Sequence, residues 1–173
     1  MTTPIDEAVD HVRGPAGGHL ILEYGDYECP YSRQAFRQIE LVEQLPGGIR
    51  FAFRHFPLTE IHPHAIAAAR AAEAAARQGL FWDMHDLLFH RQKALTDDDL
   101  RLYAEKLGLD TTRFDRDMTS REVLDRIERD VRSGLDSGEV LGTPTLFIDG
   151  VVFRGSYAAA DLANAVSKAS STP

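Results

Sequence analysis

The chain has little cysteine and no long apolar run, and these two scarcities narrow its class. One cysteine among 173 residues cannot form a disulfide within the chain, which is typical of a protein kept in a reducing compartment. No run of about eighteen apolar residues occurs, and the N-terminal segment lacks the basic and apolar regions of a signal peptide. We therefore expect a cytoplasmic protein without a membrane span, although a chain whose signal sequence had been removed would look the same.

Clustered positive charge is also scarce in the sequence. The chain carries 27 acidic against 19 basic side chains, a formal net charge of −8, and no Lys/Arg cluster or basic-aromatic stripe. Nucleic acids and anionic membranes repel such a surface, so we expect neither as a partner. With 43% hydrophobic and 27% charged residues, the composition is that of a globular protein, and the length fits one domain.

The one cysteine lies where a thiol is expected to become reactive. Residues 20–24 form a short apolar run that predicts a buried strand, and a Gly-Asp turn follows. An amphipathic helical pattern begins directly after Cys29, and Pro30 suits the first helical position. Cys29 is therefore predicted to cap this helix, where free backbone amides and the helix dipole favour thiolate over thiol. The alternative is a buried structural cysteine that acts as a small hydrophobic residue.

Apolar periodicity, capping residues and turn residues predict a βαβ unit, a block of five helices and a final ββα unit. The helical block is rich in alanine and in Ser, Thr or Asp caps, and an Asp-Gly pair predicts the last hairpin. The predicted strands are 11–13, 20–24, 49–55, 145–148 and 151–154; the predicted helices are 31–45, 63–78, 80–92, 97–108, 110–118, 120–138 and 159–169.

In this order the segments resemble the thioredoxin superfamily, and more narrowly the disulfide-bond protein A (DsbA) family. The resemblance depends on a Cys-Pro-Tyr-Ser motif at Cys29, a Gly-Thr-Pro-Thr motif ending at Thr145, and the inserted helices. Part of the helical block also looks like that of cytosolic bacterial relatives. The resemblance implies an α/β thioredoxin-like fold, with a central mixed sheet and an inserted α-helical subdomain. Residues 1–173 are then one domain, with a core of 19–61 and 137–169 and a helical insertion of 62–136.

The resemblance also implies roles for individual residues. Pro144 is expected to be cis and to pack beside Cys29, while the backbone of Thr143 pairs with an extended segment of the substrate. Pro30 and Tyr31 are the other expected substrate-binding residues. Taken without the cysteine motif, the alternative for the Gly-Thr-Pro-Thr motif is an ordinary loop, because such dipeptides occur in many turns.

The chain departs from the family at Ser32, which holds the position of the second cysteine in the family's dithiol motif. It therefore cannot pass an internal disulfide to a substrate. We expect monothiol chemistry through Cys29, with no bound cofactor and with glutathione as co-substrate. Ser32 is the second expected catalytic residue, because its hydroxyl can donate a hydrogen bond to the sulfur. Expected partners are glutathione and protein or small-molecule disulfides, and the expected oligomeric state is a monomer or weak dimer.

Two other functions stay open. Kappa-class glutathione transferases and related isomerases are similar in having this fold, and they hold the glutathione thiolate at a Ser-Pro-Tyr-Ser-like corner. The third hypothesis is a peptide-binding, chaperone-like module whose redox pair has been lost.

Three acidic residues near the cysteine give further expectations. Glu23, on the strand that leads to Cys29, is expected to be buried and to act as a proton relay, because a buried acid needs a partner or a function. Asp26 and Glu28 are closer in sequence, and their negative charges are expected to oppose ionisation of the thiol.

The histidines do not predict a metal site. His62 and His64, with His55 nearby, are two residues apart, which is not a spacing that shares a helix face, and no cysteine or paired carboxylate completes a ligand set. His85 and His90 are expected to be surface or cap residues.

Overall fold

A five-stranded mixed sheet is the centre of the fold. The structure is a computed structural model that describes residues 4–46 and 48–169. The strands follow the order β1-β3-β2-β4-β5 across the sheet. Strands β2 and β3 are parallel, and the other neighbouring pairs are antiparallel. The strands are β1 His11–Arg13, β2 His19–Gly25, β3 Ile49–His55, β4 Thr145–Ile148 and β5 Val151–Phe153.

Helices account for most of the rest of the described chain, and five of them separate β3 from β4. They are α1 Pro30–Glu43, α2 Ala65–Ala76, α3 Phe81–His90, α4 Asp97–Lys106, α5 Thr111–Met118, α6 Arg121–Ser137 and α7 Ala159–Ala169. This order confirms the predicted α/β, thioredoxin-like fold with inserted helices. The exact division into core and insertion stays a prediction.

The capping residues explain where several helices begin and end. The Thr96 hydroxyl accepts a hydrogen bond from the Asp99 backbone N–H, and the Asp99 carboxylate accepts one from the Thr96 N–H, so that α4 begins with a capping box. Side chains of Asp110 and Ser120 cap α5 and α6 in the same way. Helix α6 ends at Gly138, whose φ of 69° suits a residue without a Cβ.

The Asp149-Gly150 hairpin joins β4 to β5 as predicted. Both residues have positive φ, 47° and 83°, which is the conformation of a type I′ turn. The Asp149 carboxylate also accepts a hydrogen bond from the Leu20 N–H at 2.9 Å, so the turn is tied to the start of β2. The hairpin therefore places the preceding loop, residues 142–144, beside the C-terminal end of β2.

Hydrophobic side chains cover both faces of the sheet. Successive strand residues point to opposite faces, so Ile21 packs in the larger cluster, while Leu22 packs in the smaller one with Phe147. The larger cluster contains residues of α1 to α5 and α7, so it continues from the sheet into the inserted helices. Glu23 is two residues from Ile21 and shares its face.

One histidine prediction is wrong. His85 was expected at the surface or at a cap, but it is fully buried, and its Nδ1 lies 2.9 Å from the Tyr27 hydroxyl. Burial holds the pKa of His85 well below its usual range, and nearby positive charge adds to this effect. His90 has a side chain that is 53% exposed, in agreement with its predicted surface position.

Within the described residues, no helix combines the length and the apolar composition that crossing a bilayer requires.

Candidate active site

Cys29 is the N-cap of α1, as predicted. Its backbone is extended, with φ −71° and ψ 121°, and Pro30 occupies the first turn of the helix. The Cys29 N–H donates to the Asp26 carbonyl at 3.1 Å, and its carbonyl accepts from the Arg33 N–H at 3.1 Å. The residue is only 3% exposed. Its thiol is therefore held in an enclosed corner between the end of β2 and the start of α1.

The second motif faces the same thiol. The peptide bond between Thr143 and Pro144 is cis, as the resemblance implies. The Cys29 Sγ donates to the Thr143 carbonyl oxygen at 3.3 Å. The Tyr157 hydroxyl donates to the Pro144 carbonyl oxygen at 3.0 Å. Two segments 114 residues apart in sequence thus meet at one sulfur atom.

Ser32 makes a different contact from the predicted one. It is fully buried, and its hydroxyl oxygen accepts a hydrogen bond from the Asp26 backbone N–H at 3.2 Å. Within residues 4–46 and 48–169, the structure shows no hydrogen bond between Ser32 and the Cys29 sulfur. In this structure the hydroxyl therefore fastens the turn before Cys29 to the first turn of α1.

The two other predicted substrate-binding residues are exposed at the start of α1. Pro30 is exposed, and Tyr31 is 63% exposed. A cavity of about 400 Å³ runs along Thr143, Pro144 and Tyr157. The Pro144 loop that contacts the Cys29 sulfur thus also lines a cavity.

Glu23 is buried, as predicted, and neither of its carboxylate oxygens has a hydrogen-bond partner among the described residues. Burial raises the pKa of Glu23 from about 4.5 to about 8, against the opposing charge of Arg13. The carboxylate lies close to Gly25, because a Cβ at Gly25 would come within 2.8 Å of it. This raised pKa favours the protonated form of Glu23 at neutral pH. The residue lies close to where β2 leads into the Cys29 corner.

The Tyr157 phenol is influenced by the charges of both Glu23 and Cys29. Burial raises the pKa of the Tyr157 phenol, and the charges of Glu23 and Cys29 raise it further. No sequence motif marks this residue, because it lies after the hairpin and reaches the site only through the fold.

Asp26 and Glu28 are not the unpaired charges that the sequence suggested. The Asp26 carboxylate accepts from the Leu58 N–H at 2.9 Å and lies 2.8 Å from His62 Nδ1. The Glu28 carboxylate accepts from the His64 N–H and lies 3.0 Å from His64 Nδ1. Each carboxylate beside Cys29 is thus bonded to a backbone N–H and to a histidine ring.

Gln92 is a further residue that the sequence did not indicate. It lies just after α3, and its side-chain amide donates to the carbonyl oxygens of Tyr27 and Cys29, both at 2.8 Å. The inserted helices are thereby bonded directly to the backbone of the candidate active site.

Histidines also form a group elsewhere. His11 and His55 each place Nε2 2.7 Å from the same carboxylate oxygen of Glu73. Within the described residues, this is the one His/Glu group close enough to hold a metal ion. Burial alone would raise the pKa of Glu73, but hydrogen bonds from the two histidines outweigh it and hold that pKa well below its usual range. His55 therefore belongs with these residues and is not grouped with His62 and His64.

The fold and the site together define a class. A βαβ half, a ββα half, a cysteine at the N-terminus of the first long helix and a cis-proline facing it define a thioredoxin-fold protein with inserted helices. The chain belongs to the family described as the DSBA-like thioredoxin domain, whose model matches residues 20–167.

Solved structures agree with this assignment. The chain is similar to a thioredoxin-like oxidoreductase from Silicibacter pomeroyi DSS-3, with a TM-score of 0.84 and 27% identity over 95% of this chain and 94% of that one. It is also similar to BdbD from Bacillus subtilis, with a TM-score of 0.81 and 19% identity over 96% of each chain. At 19% identity the second likeness shows the fold alone.

Curated relatives are much longer than this chain. The chain is 46% identical over 171 residues to Na(+)/H(+) antiporter NhaA 1 of Salinispora arenicola, a match that covers 98% of this chain and 26% of the relative. It is 44% identical over 159 residues to Na(+)/H(+) antiporter NhaA of Herminiimonas arsenicoxydans, of which it covers 25%. The chain thus spans about a quarter of the length of these relatives, and the antiporter name describes those longer proteins.

Proposed function

We propose that the chain is a thiol–disulfide oxidoreductase that acts through Cys29 alone, with glutathione as its co-substrate. The observation that supports this proposal most is the position of the Cys29 sulfur, which lies at the N-terminus of α1 and 3.3 Å from the Thr143 carbonyl. The helix favours the thiolate, and thiolate is the form that attacks disulfides.

The reaction consists of two exchanges. The Cys29 thiolate attacks the glutathione sulfur of a glutathionylated protein, so that a bond forms between Cys29 and glutathione while the protein thiol leaves as a thiolate. A second glutathione thiolate then attacks the bound glutathione sulfur, which restores the Cys29 thiolate and releases glutathione disulfide. Glutathione disulfide can replace the glutathionylated protein in the first step and forms the same adduct at Cys29, but its resolution by glutathione gives no net reaction. The resolving thiol comes from solution, since Ser32 occupies the second cysteine position.

The surrounding residues are assigned roles in substrate binding and proton transfer. The Thr143 backbone and Pro144 form one side of the substrate groove, and Pro30 and Tyr31 form the other. We assign Glu23 the role of proton relay, because a buried acid with a pKa of about 8 can both hold and release a proton near neutral pH.

The test is mass spectrometry of the protein after incubation with glutathione disulfide. We expect one glutathione attached at Cys29, released by added glutathione, and no adduct on a Cys29→Ser variant. Failure of the wild-type protein to form the adduct would contradict the proposal.

The same variants distinguish the two other functions. A Cys29→Ser protein that retains glutathione transferase or isomerase activity would favour the kappa-class function, in which the corner only holds the thiolate of glutathione. Peptide binding that survives Cys29→Ala, together with no turnover in any thiol assay, would favour a peptide-binding module. The exposed Tyr31 beside the groove is the surface on which such a peptide would lie.

A further inference from the structure

A cavity with basic walls lies next to the Cys29 corner. Its volume is about 330 Å³, and its lining is Arg33, His90, Arg91, Lys93 and Ala94. Arg33 lies on α1, whereas the other lining residues come from the end of α3 and the segment after it. We call it the basic cavity. Three of its basic side chains come from residues 90–93, and the fold adds Arg33 from α1.

Both walls of the basic cavity are bonded to the same backbone oxygen of the candidate active site. The Arg33 N–H donates to the Cys29 carbonyl at 3.1 Å. Gln92, which lies between two of the lining residues, donates to that same carbonyl at 2.8 Å. Since one helical turn rises about 5.4 Å, Arg33 lies roughly one turn along α1 from Cys29. The basic cavity therefore adjoins the backbone of Cys29.

Three basic side chains of the basic cavity have no ion-pair partner among the described residues. Among residues 4–46 and 48–169, no carboxylate lies within the 4.0 Å ion-pair distance of Arg33, Arg91 or Lys93. His90 alone has an acidic neighbour, Glu40, at 3.6 Å. Most other arginines of this acidic chain are paired, for example Arg13 with Glu43.

Arg33 also has an unsatisfied donor. Its Nε is buried and has no hydrogen-bond partner among the described residues. A buried guanidinium N–H without an acceptor is costly, and a carboxylate is the acceptor whose planar geometry fits it best.

We propose that the basic cavity binds a carboxylate group of glutathione while the glutathione sulfur reacts with Cys29. The inference rests on the proposed function and narrows its substrate class to small thiols and disulfides that carry carboxylates. In an extended tripeptide, a carboxylate one residue from the cysteine lies roughly 3.5 Å further along the chain, which is comparable with the one helical turn of about 5.4 Å between Cys29 and Arg33.

The test compares two disulfides that differ in charge. Glutathione disulfide carries four carboxylates, whereas bis(2-hydroxyethyl) disulfide is neutral, and both are attacked by the same thiolate. The rate of mixed-disulfide formation at Cys29 is measured for each, and their ratio is the readout. The variants are Arg33→Gln, Lys93→Gln and the double variant. Lys106→Gln is the control, because Lys106 is an exposed residue at the end of α4 that is not part of the basic cavity.

We expect the ratio of the glutathione disulfide rate to the neutral disulfide rate to fall roughly tenfold in the double variant and to stay unchanged in Lys106→Gln. In the wild-type protein, added salt should slow the reaction of Cys29 with glutathione disulfide more than its reaction with the neutral disulfide. This result would support the inference without any substitution. An unchanged ratio in the double variant would overturn the carboxylate site and leave the proposed function intact. A wild-type protein that reacts with neither disulfide would overturn both.

Discussion

Burial changes the pKa of single residues near the candidate active site, and Glu23 is the clearest case. Its carboxyl is buried on β2 without a hydrogen-bond partner in the described structure, and burial raises its pKa to about 8. An unfolded chain ionises this group near its ordinary value of about 4.5. Between these two values the folded protein keeps a proton that the unfolded protein releases, so rising pH favours unfolding.

We therefore predict that the free energy of unfolding of Glu23→Gln depends less on pH than that of the wild-type protein. Relative to the variant, the wild-type protein should lose about 1.4 kcal/mol of unfolding free energy per pH unit between roughly pH 4.5 and 8. Urea denaturation at pH 5 and pH 8 measures this difference. Glu105→Gln, at an exposed position, should show the wild-type pH dependence. Equal pH dependence in Glu23→Gln and wild type would contradict a neutral buried acid.

The position and burial of a single residue are predictable from the sequence where they depend on its immediate neighbours. The strand, turn and Pro30 around Cys29 predict its N-cap position, and an acid within a buried strand predicts the burial of Glu23. The pairing of Asp26 with His62 is beyond such reasoning, because the partners are 36 residues apart and meet only through the loop after β3.

At the scale of elements, α3 and the segment after it support the site. Phe81, His85 and Phe89 are four residues apart and share the buried face of α3, so this spacing could have predicted that His85 is buried. No such periodicity marks Gln92, which lies beyond the helix and bonds the carbonyls of Tyr27 and Cys29. Its role depends on how α3 is placed, which local sequence does not specify.

We predict that Gln92→Met slows disulfide exchange at Cys29 roughly three- to tenfold, because the Cys29 backbone loses a positioning hydrogen bond worth about 1 kcal/mol. The pH profile of Cys29 alkylation should shift as well, which a purely structural loss would not cause. The rates are measured with the neutral disulfide so that charge plays no part.

Gln78→Met is the matched control for this prediction. Gln78 bonds the backbone N–H and carbonyl of Asp110, at 2.9 Å and 3.1 Å, and so it makes contacts of the same kind away from Cys29. It should lower stability to a similar extent and leave exchange unchanged. If Gln92→Met slows exchange no more than Gln78→Met, Gln92 does not position the thiol.

At the scale of the whole molecule, buried polar groups join elements in addition to the hydrophobic clusters. The Glu73 carboxylate on α2 joins His11 on β1 to His55 on β3. The buried Arg54 on β3 pairs with Asp10 just before β1 at 2.8 Å. The short strand β1 is thus held on the sheet by buried polar contacts as well as by its three pairs with β3.

We predict that Glu73→Gln lowers the free energy of unfolding by roughly 2–3 kcal/mol, because two histidines lose their shared charged acceptor. The lowered pKa of Glu73 means that the wild-type protein has this stabilisation above about pH 4.5 and loses it as the pH falls further. Urea denaturation at pH 7 and pH 3.5 measures both effects. The exposed Glu60→Gln should change stability by less than about 0.5 kcal/mol, and an equally small loss in Glu73→Gln would contradict this role.

The general architecture was predictable because strand, cap and hairpin signals agreed with each other along the chain. The hairpin at Asp149 and the helix that Thr96 caps were both correctly predicted from a few residues. The antiparallel pairing of β1 with β3 could not be predicted, because a strand of three residues does not specify its partner. The cytoplasmic location and the oligomeric state stay predictions.

The Thr143 carbonyl accepts the Cys29 S–H in the resting protein, and it lies in the loop where an arriving peptide N–H is proposed to bind. When a peptide occupies that oxygen, the thiol loses its acceptor, and the proton becomes easier to remove. By thermodynamic reciprocity, the deprotonated form then holds the peptide more tightly. A thiol-free peptide should accordingly speed Cys29 alkylation at fixed pH, and no acceleration at saturation would refute this linkage. Substrate binding and thiol reactivity would then be coupled through one backbone oxygen.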